Sequence, residues 1–332
     1  MSDESTRRDD NRPARSEPPG CNTIWAPADE AQRTGMARSG DVELYYEAFG
    51  QASDPAVLLI MGLGTQLIGW HDDFCSQLAA RGFYVIRFDN RDVGWSTKLD
   101  HLDQSFPVFL SRAVRLLVGL KAPTPYPSIA DMAGDAIAVL DELDVDRAHI
   151  VGASMGGMIA QQVAIAHPDR SLSLTSIMST TGDRRIGGST LAMKFFLARP
   201  PVSDPHQQFD ALVETWRRIG SPAHFDEADT RRRLERSLER DYTPNGRARQ
   251  LLAVLSQPSR TRALASVRMP TTAVHGLLDP LVNPSGSRRL AATVPGARLI
   301  ELPDVAHDMP RVHWPVLLDV ISSHQHQVSV LS

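Results

Sequence analysis

The sequence predicts an α/β fold in which a mostly parallel central sheet is flanked by helices. Short apolar runs, each bounded by turn residues, recur along the chain and do not alternate with polar residues. This pattern is typical of strands that are buried on both faces of a parallel sheet. Segments of helical periodicity separate the runs, and strands that alternate with helices assemble through right-handed crossovers.

The first predicted strand, residues 41–48, alternates polar and apolar side chains, which indicates an antiparallel edge strand. The buried strands that follow are residues 56–60, 84–88, 149–151, 172–178 and 271–275, with a weaker run at 297–302.

The clearest predicted helix covers residues 128–143, because its apolar side chains fall on one stripe. Ser128, with Asp131 three residues later, predicts its N-terminal cap. Residues 155–167 and 312–324 are two further predicted helices.

The domain organisation follows from where this alternation of strands and helices fails. Residues 183–266 have helical patterns but no convincing strand, and they are too long for a connection, so we expect a helical cap inserted between two strands. The core then comprises residues 39–182 and 267–326. The polar residues 1–38 predict a disordered tail, and 327–332 a short C-terminal tail.

A second unusual segment is the apolar stretch 105–120. It predicts a helix that either packs against the cap, acts as a lid, or touches a membrane surface.

The composition excludes several classes of protein. The 332 residues carry a net charge of −4, and the arginines near the end of the cap alternate with acidic residues, so we expect no nucleic-acid partner. Cys21 and Cys75 are too few for a disulfide framework and lack metal-ligand spacing. No apolar stretch resembles a signal peptide or reaches the roughly 20 residues of a membrane span, which predicts a cytoplasmic protein without stable membrane insertion.

The run from Gly152 to Gly157 contains the pattern Gly-x-Ser-x-Gly around Ser154. The pattern alone is weak, because chance gives roughly 0.1 matches in a chain of this length. Its context is more specific, since a predicted strand precedes Ser154 and a predicted helix follows it. A serine at such a turn projects from the carboxyl edge of the sheet, so Ser154 is the candidate nucleophile.

A serine hydroxyl needs a base, and the base needs an orienting carboxylate. Asp279 follows the strand 271–275 and His307 follows the strand 297–302, so both can reach the edge that holds Ser154. Asp183, just after an earlier strand, is the rival acid. His71 is a further histidine of interest, because it follows the glycine loop at residues 62–64.

That loop, Gly62-Leu63-Gly64, follows the buried strand 56–60. An acyl-transfer intermediate needs two backbone N–H donors, usually from the residue after the nucleophile and from a loop after an early strand. Leu63 and Met155 are the candidate donors; the alternative is a tight turn without chemistry.

Together with the run from Phe88 to Ser96, these motifs resemble the α/β-hydrolase superfamily over residues 39–322. Within it the chain is similar to the aclacinomycin methylesterase group and related carboxylesterases. The resemblance implies a serine carboxylesterase with Ser154 as nucleophile, Asp279 as acid, His307 as base, and Leu63 and Met155 as oxyanion donors.

The expected function is therefore hydrolysis of a small, apolar carboxylic ester through an acyl-enzyme intermediate, with no metal ion or organic cofactor. A lactonase or a cofactor-free perhydrolase uses the same triad and stays open. A non-catalytic ligand-binding protein on this scaffold is a third possibility. The sequence does not indicate an oligomeric state.

Overall fold

The computed structural model describes residues 33–102, 106–117, 120, 126–190, 192–193, 205–241 and 243–331. Its centre is an eight-stranded sheet in the order β1-β2-β4-β3-β5-β6-β7-β8. The strands are β1 (Arg33–Ser39), β2 (Val42–Phe49), β3 (Ala56–Ile60), β4 (Tyr84–Phe88), β5 (Ala148–Ala153), β6 (Ser171–Ile177), β7 (Thr271–Gly276) and β8 (Arg298–Leu302). The six strands from β4 to β8 in this order are parallel, and β1 and β2 are antiparallel to their neighbours.

The predicted α/β fold with a mostly parallel sheet is confirmed. The helices are α1 (Asp72–Ala79), α2 (Phe106–Leu117), α3 (Ile129–Glu142), α4 (Met155–Ala166), α5 (Pro205–Ile219), α6 (Glu227–Arg240), α7 (Pro244–Ser256), α8 (Thr261–Leu264), α9 (Ser285–Thr293) and α10 (Trp314–Leu331).

The burial of strand β3 shows that helices cover both faces of the sheet. Its side chains alternate in direction, and all five residues are buried. Leu58 and Ile60 pack into a core with α3 and α4, whereas Val57 and Leu59 pack into a second core with α1 and α10. With both faces covered, the edge at the carboxyl ends of the strands is where a ligand crevice forms.

The structure corrects the prediction at the N-terminal boundary. Residues 33–38, assigned to the disordered tail, belong to β1, which pairs with β2 in a hairpin. β1 therefore occupies the edge of the sheet and β2 does not. The pairing sets Ala37 opposite Leu44, and both are fully buried. The predicted tail residues 1–32 lie outside the described residues.

The C-terminal boundary is also wrong. Residues 327–331, predicted as a tail, continue α10, which ends at Leu331. The physical reason is that no glycine or proline follows Pro315 to end the helix.

Between β6 and β7 the described residues contain the helices α5 to α8, in agreement with a helical insertion. Helix α2, which lies within the apolar segment predicted at 105–120, packs against this insertion. Its Ala113 and Leu116 form a small core with Tyr126 and with Leu252 of α7. In the described part of the chain, no helix is both long and apolar enough to cross a membrane.

The helix cap at Ser128 is confirmed in detail. The Ser128 hydroxyl accepts a hydrogen bond from the Asp131 N–H, and the Asp131 carboxylate accepts one from the Ser128 N–H. This capping box satisfies two backbone donors at the start of α3.

Candidate active site

Ser154 lies in the turn between β5 and α4. Its φ of 57° and ψ of −118° are strained for a residue with a side chain. The turn is held by a 2.9 Å hydrogen bond from the Ser154 N–H to the carbonyl of Ile177 on the adjacent strand. The strain therefore persists at the position where a strand-to-helix turn presents a nucleophile.

The glycines around Ser154 are required by close backbone contacts. A Cβ atom on Gly152 would lie 2.1 Å from the carbonyl oxygen of Gly156, and one on Gly156 would lie 2.1 Å from that of Ile60. A Cβ on Gly157 would lie 2.6 Å from the Cβ of Ser179. The motif thus allows α4 to start against β3 and β6 without a steric clash.

The structure brings Ser154, His307 and Asp279 together. His307 Nε2 lies 3.0 Å from Ser154 Oγ, and His307 Nδ1 lies 2.6 Å from Asp279 Oδ2. Asp279 and His307 are buried, and Ser154 is partly exposed. Since an ionised carboxylate only accepts, Nδ1 carries the proton and Nε2 is free to accept the Ser154 hydroxyl proton.

The environment of Asp279 keeps its carboxylate ionised. Burial opposes ionisation, but the electrostatic interaction with His307 and hydrogen bonds from His275, His307 and the Val282 N–H outweigh it, so the pKa is lowered to about 2. Oδ1 accepts 2.8 Å hydrogen bonds from the N–H groups of Leu281 and Val282. The carboxylate is therefore oriented from both sides.

Sequence reasoning missed His275, which the prediction treated only as a strand residue. Its Nε2 lies 3.3 Å from Asp279 Oδ2 and 2.8 Å from the Val282 carbonyl oxygen. Its Nδ1 lies 2.6 Å from Ser287 Oγ. A histidine inside a buried strand, directly after Ala273 and Val274, was the only sequence signal for this contact.

The loop after β3 lies beside Ser154. A Cβ added to Gly62 would be 3.2 Å from the Ser154 Cβ and 3.7 Å from its Oγ. Within the described residues, no hydrogen bond uses the N–H of Leu63 or of Met155. The loop that contains Leu63 therefore lies against the nucleophile, and Met155 directly follows it in the chain.

Two side chains hold this loop in place. Gln250 of α7 accepts a 2.7 Å hydrogen bond from the Gly64 N–H and donates to the Arg91 carbonyl. Asn90 donates to the Met61 carbonyl at 3.0 Å. The helical insertion thus supports the loop that contains Leu63.

The rival residues lie elsewhere. Asp183 accepts a hydrogen bond from the Arg185 N–H, a local contact within its own loop. His71 caps α1 and lies 2.6 Å from an Arg311 nitrogen. Among the described residues, the one group of His, Cys, Asp or Glu side chains spaced for a metal ion is His224, Asp304 and His313, outside this constellation.

A sequence profile described as alpha/beta hydrolase fold matches residues 55–310. The chain is 30% identical over 320 residues to the rhodomycin D methylesterase DauP of Streptomyces sp. (strain C5), covering 90% of this chain and 99% of that protein. It is also 30% identical over 318 residues to the rhodomycin D methylesterase DnrP of Streptomyces peucetius, with 90% and 99% coverage.

Among solved structures, the enol-lactonase from Burkholderia xenovorans LB400 superposes with a TM-score of 0.67 at 20% identity, over 88% of this chain and 100% of that chain. This likeness supports the fold.

The chain belongs to the α/β-hydrolase fold family, as the sequence motifs predicted. Within that family it is an esterase-type enzyme, a carboxylic ester hydrolase.

Proposed function

We propose that the enzyme cleaves carboxylic esters by two-step acyl transfer, with Ser154, His307 and Asp279 as its catalytic triad. The observation that carries this proposal is the continuous hydrogen-bond chain of 3.0 Å and 2.6 Å through the two nitrogens of His307. Its polarity is defined, because the carboxylate of Asp279 can only accept. This is the arrangement that converts a serine hydroxyl into a nucleophile.

In the first step His307 Nε2 takes the hydroxyl proton of Ser154 while Oγ attacks the ester carbonyl carbon. The N–H groups of Leu63 and Met155 donate to the resulting oxyanion. The intermediate collapses, the carbon–oxygen bond to the alcohol breaks, and His307 returns its proton to the leaving alcohol. The acyl group is then bound to Ser154.

In the second step a water molecule gives a proton to the same histidine and attacks the acyl carbon. The carboxylic acid leaves, and Ser154 recovers its proton. Asp279 stays ionised throughout and stabilises the imidazolium of His307. Each N–H donor to the oxyanion lowers the activation free energy by on the order of 3 kcal/mol.

We propose an apolar acyl portion and a small alcohol portion for the substrate. The small alcohol is suggested by the two relatives, both named as methylesterases. The sequence analysis expects an apolar ester. Candidate side chains for an apolar pocket are Met193 and residues 195–197 in the cap, with Leu281 and Met309 near the triad loops, although core packing explains each of them equally well. Met193 is buried and Met309 packs against the apolar core, whereas residues 195–197 of the same expected pocket lie outside the described residues.

The test is a set of ester assays on the wild-type enzyme and on Ser154→Ala. Methyl, ethyl and butyl esters of one aromatic acid probe the alcohol side, and p-nitrophenyl esters of increasing acyl length probe the acyl side. We expect faster turnover of the methyl ester and rates that rise from acetate to medium chains. Ser154→Ala should abolish turnover of every ester.

The same assay discriminates between related reactions on this scaffold. A lactone turned over faster than any open-chain ester would favour a lactonase, and peracid formation with hydrogen peroxide would favour a perhydrolase. A folded wild-type protein that binds these esters without hydrolysing them would contradict the proposal.

A further inference from the structure

A second cluster of chemically reactive side chains lies beside the loop that contains His307. His224 ends the 3₁₀ turn Pro222–His224 of the insertion, and His313 ends the 3₁₀ turn Arg311–His313. Asp304 lies between them in the loop after β8. His224 Nε2 is 2.7 Å from Asp304 Oδ2, and His313 Nε2 is 3.0 Å from Asp304 Oδ1.

The geometry of this cluster matches that of a metal site with three protein ligands. One ligand atom from each residue lies within 4.8 Å of the other two. In a tetrahedral zinc site with bonds of about 2.0–2.2 Å, the ligand atoms are separated by roughly 3.3 Å. The two nitrogen–oxygen distances therefore need to increase by about half an ångström, which side-chain rotation can supply.

The side chains are also accessible. The exposed fractions of His224, Asp304 and His313 are 24%, 42% and 18%. A metal ion can therefore enter from solvent, and a water molecule can complete its coordination. Both carboxylate oxygens of Asp304 face an imidazole nitrogen, so the carboxylate lies between the two histidines.

We propose that His224, Asp304 and His313 form a binding site for a divalent transition-metal ion, and that the bound ion is Zn²⁺. Two imidazoles and one carboxylate suit zinc and neighbouring transition metals. Ca²⁺ and Mg²⁺ prefer six or more oxygen ligands and do not fit this donor set. The site is separate from the triad, so the proposal does not depend on the proposed function.

Without a metal, the same residues form a hydrogen-bonded tie in which each Nε2–H donates to Asp304. Coordination requires the Nε2 lone pair, so the proton moves to Nδ1, or to solvent when the imidazole is charged. A histidine therefore cannot donate from Nε2 to Asp304 and bind a metal ion through Nε2 at the same time. Metal binding therefore replaces the hydrogen bonds.

The position of the site gives metal binding a structural consequence. Ser221, three residues before His224, bonds through its N–H and its hydroxyl to the Asp308 carboxylate. The Ser221 hydroxyl also accepts a 2.9 Å bond from the Ala306 N–H, and the Ile219 carbonyl accepts a 2.8 Å bond from the His307 N–H. A metal at His224 and Asp304 adds a further link between the insertion and the His307 loop. Zinc is thus expected to stabilise the folded state by mass action.

The experiment is a zinc titration of the full-length, tag-free protein by calorimetry, with Co²⁺ absorption spectra as an independent report on the ligands. We expect one Zn²⁺ per chain and a rise in melting temperature with zinc. His224→Asn, Asp304→Asn and His313→Asn should each weaken binding at least about tenfold and remove the melting shift. His167→Asn, which removes a histidine far from the cluster, is the matched control and should bind as the wild type does.

Circular dichroism establishes that each variant is folded before titration. The proposal is overturned if the wild type shows no saturable binding, or if the three variants bind zinc with unchanged affinity. Because the readouts are affinity, spectrum and melting temperature, the outcome is independent of esterase activity.

Discussion

Replacing Asp279 by asparagine tests how the triad depends on a single proton. The change keeps the size of the side chain and an oxygen for the N–H groups of Leu281 and Val282. It removes the charge and presents an amide N–H₂ to His307 Nδ1, 2.6 Å from the present carboxylate oxygen. The favoured tautomer then has its proton on Nε2, where it faces Ser154 and cannot accept the hydroxyl proton.

Two effects of this substitution on the rate differ in size, the loss of the charge and the inversion of the His307 tautomer. A pKa lowered from 3.8 to about 2 corresponds to about 2 to 3 kcal/mol of favourable interaction, or roughly 60-fold in rate, if only the charge matters. Inversion of the tautomer costs far more, about 10⁴-fold in kcat. Because the carboxylate is ionised in both folded and unfolded states at pH 7, that stabilisation is fully present there and is lost only as the pH falls below 4 toward 2.

The assay is hydrolysis of a chromogenic ester by Asp279→Asn, compared with Asp183→Asn, which removes the rival carboxylate. We expect a loss of about 10⁴-fold for the first variant and less than about twofold for the second. An Asp279→Asn enzyme that keeps a tenth of the activity, or a severe loss in Asp183→Asn, would refute the assigned acid.

Three further predictions concern stability. Gly156→Ala would bring a Cβ to 2.1 Å from a carbonyl oxygen of β3, so the free energy of unfolding in urea should fall by more than about 2 kcal/mol. The control is Gly134→Ala, where the added Cβ meets open space in α3, and this variant should be neutral or stabilised by up to about 1 kcal/mol. Equal effects of the two substitutions would contradict the steric explanation. Arg240→Ala would leave the fully buried carboxylate of Asp89 without its 2.7 Å partner, which should cost about 3 kcal/mol in the same experiment; an unchanged urea midpoint would contradict this. Burial lowers the pKa of His324 from 6.5 to about 4, so only the unfolded chain gains its proton between these values, and His324 should reduce the free energy of unfolding by about 3 kcal/mol as the pH drops from 6.5 to 4. Burial also lowers the pKa of His149 to about 4, so His324→Gln should make that part of the pH profile less steep without flattening it; an unchanged slope would contradict this.

The elements that sequence could predict are those defined by local pattern. Strands β3 and β4 have the predicted bounds, because five-residue apolar runs between turn residues admit few other structures. The cap at Ser128 was predictable for the same reason, since its partners lie three residues apart. The nearness of Ser154, Asp279 and His307 was also predictable, because parallel strands bring their carboxyl ends to one edge.

The parts that sequence did not predict depend on contacts between distant segments. Strand β1 is mostly polar, and its structure comes from pairing with β2 rather than from its own pattern. His275 is an exception, since Asp279 lies only four residues later and comes within reach because the loop after β7 folds back beside that strand. The bond from the Gly64 N–H to Gln250 spans 186 residues and joins the insertion to the core. No local motif encodes such contacts.

Ser154 is the proposed acyl-transfer nucleophile. The most direct measurement is labelling with a fluorophosphonate, which reacts with an activated serine, followed by mass spectrometry of the modified peptide. We expect a single adduct on Ser154 that is absent from Ser154→Ala and forms much more slowly in His307→Ala. An adduct on any other serine, or an active wild-type enzyme that takes no label, would contradict it.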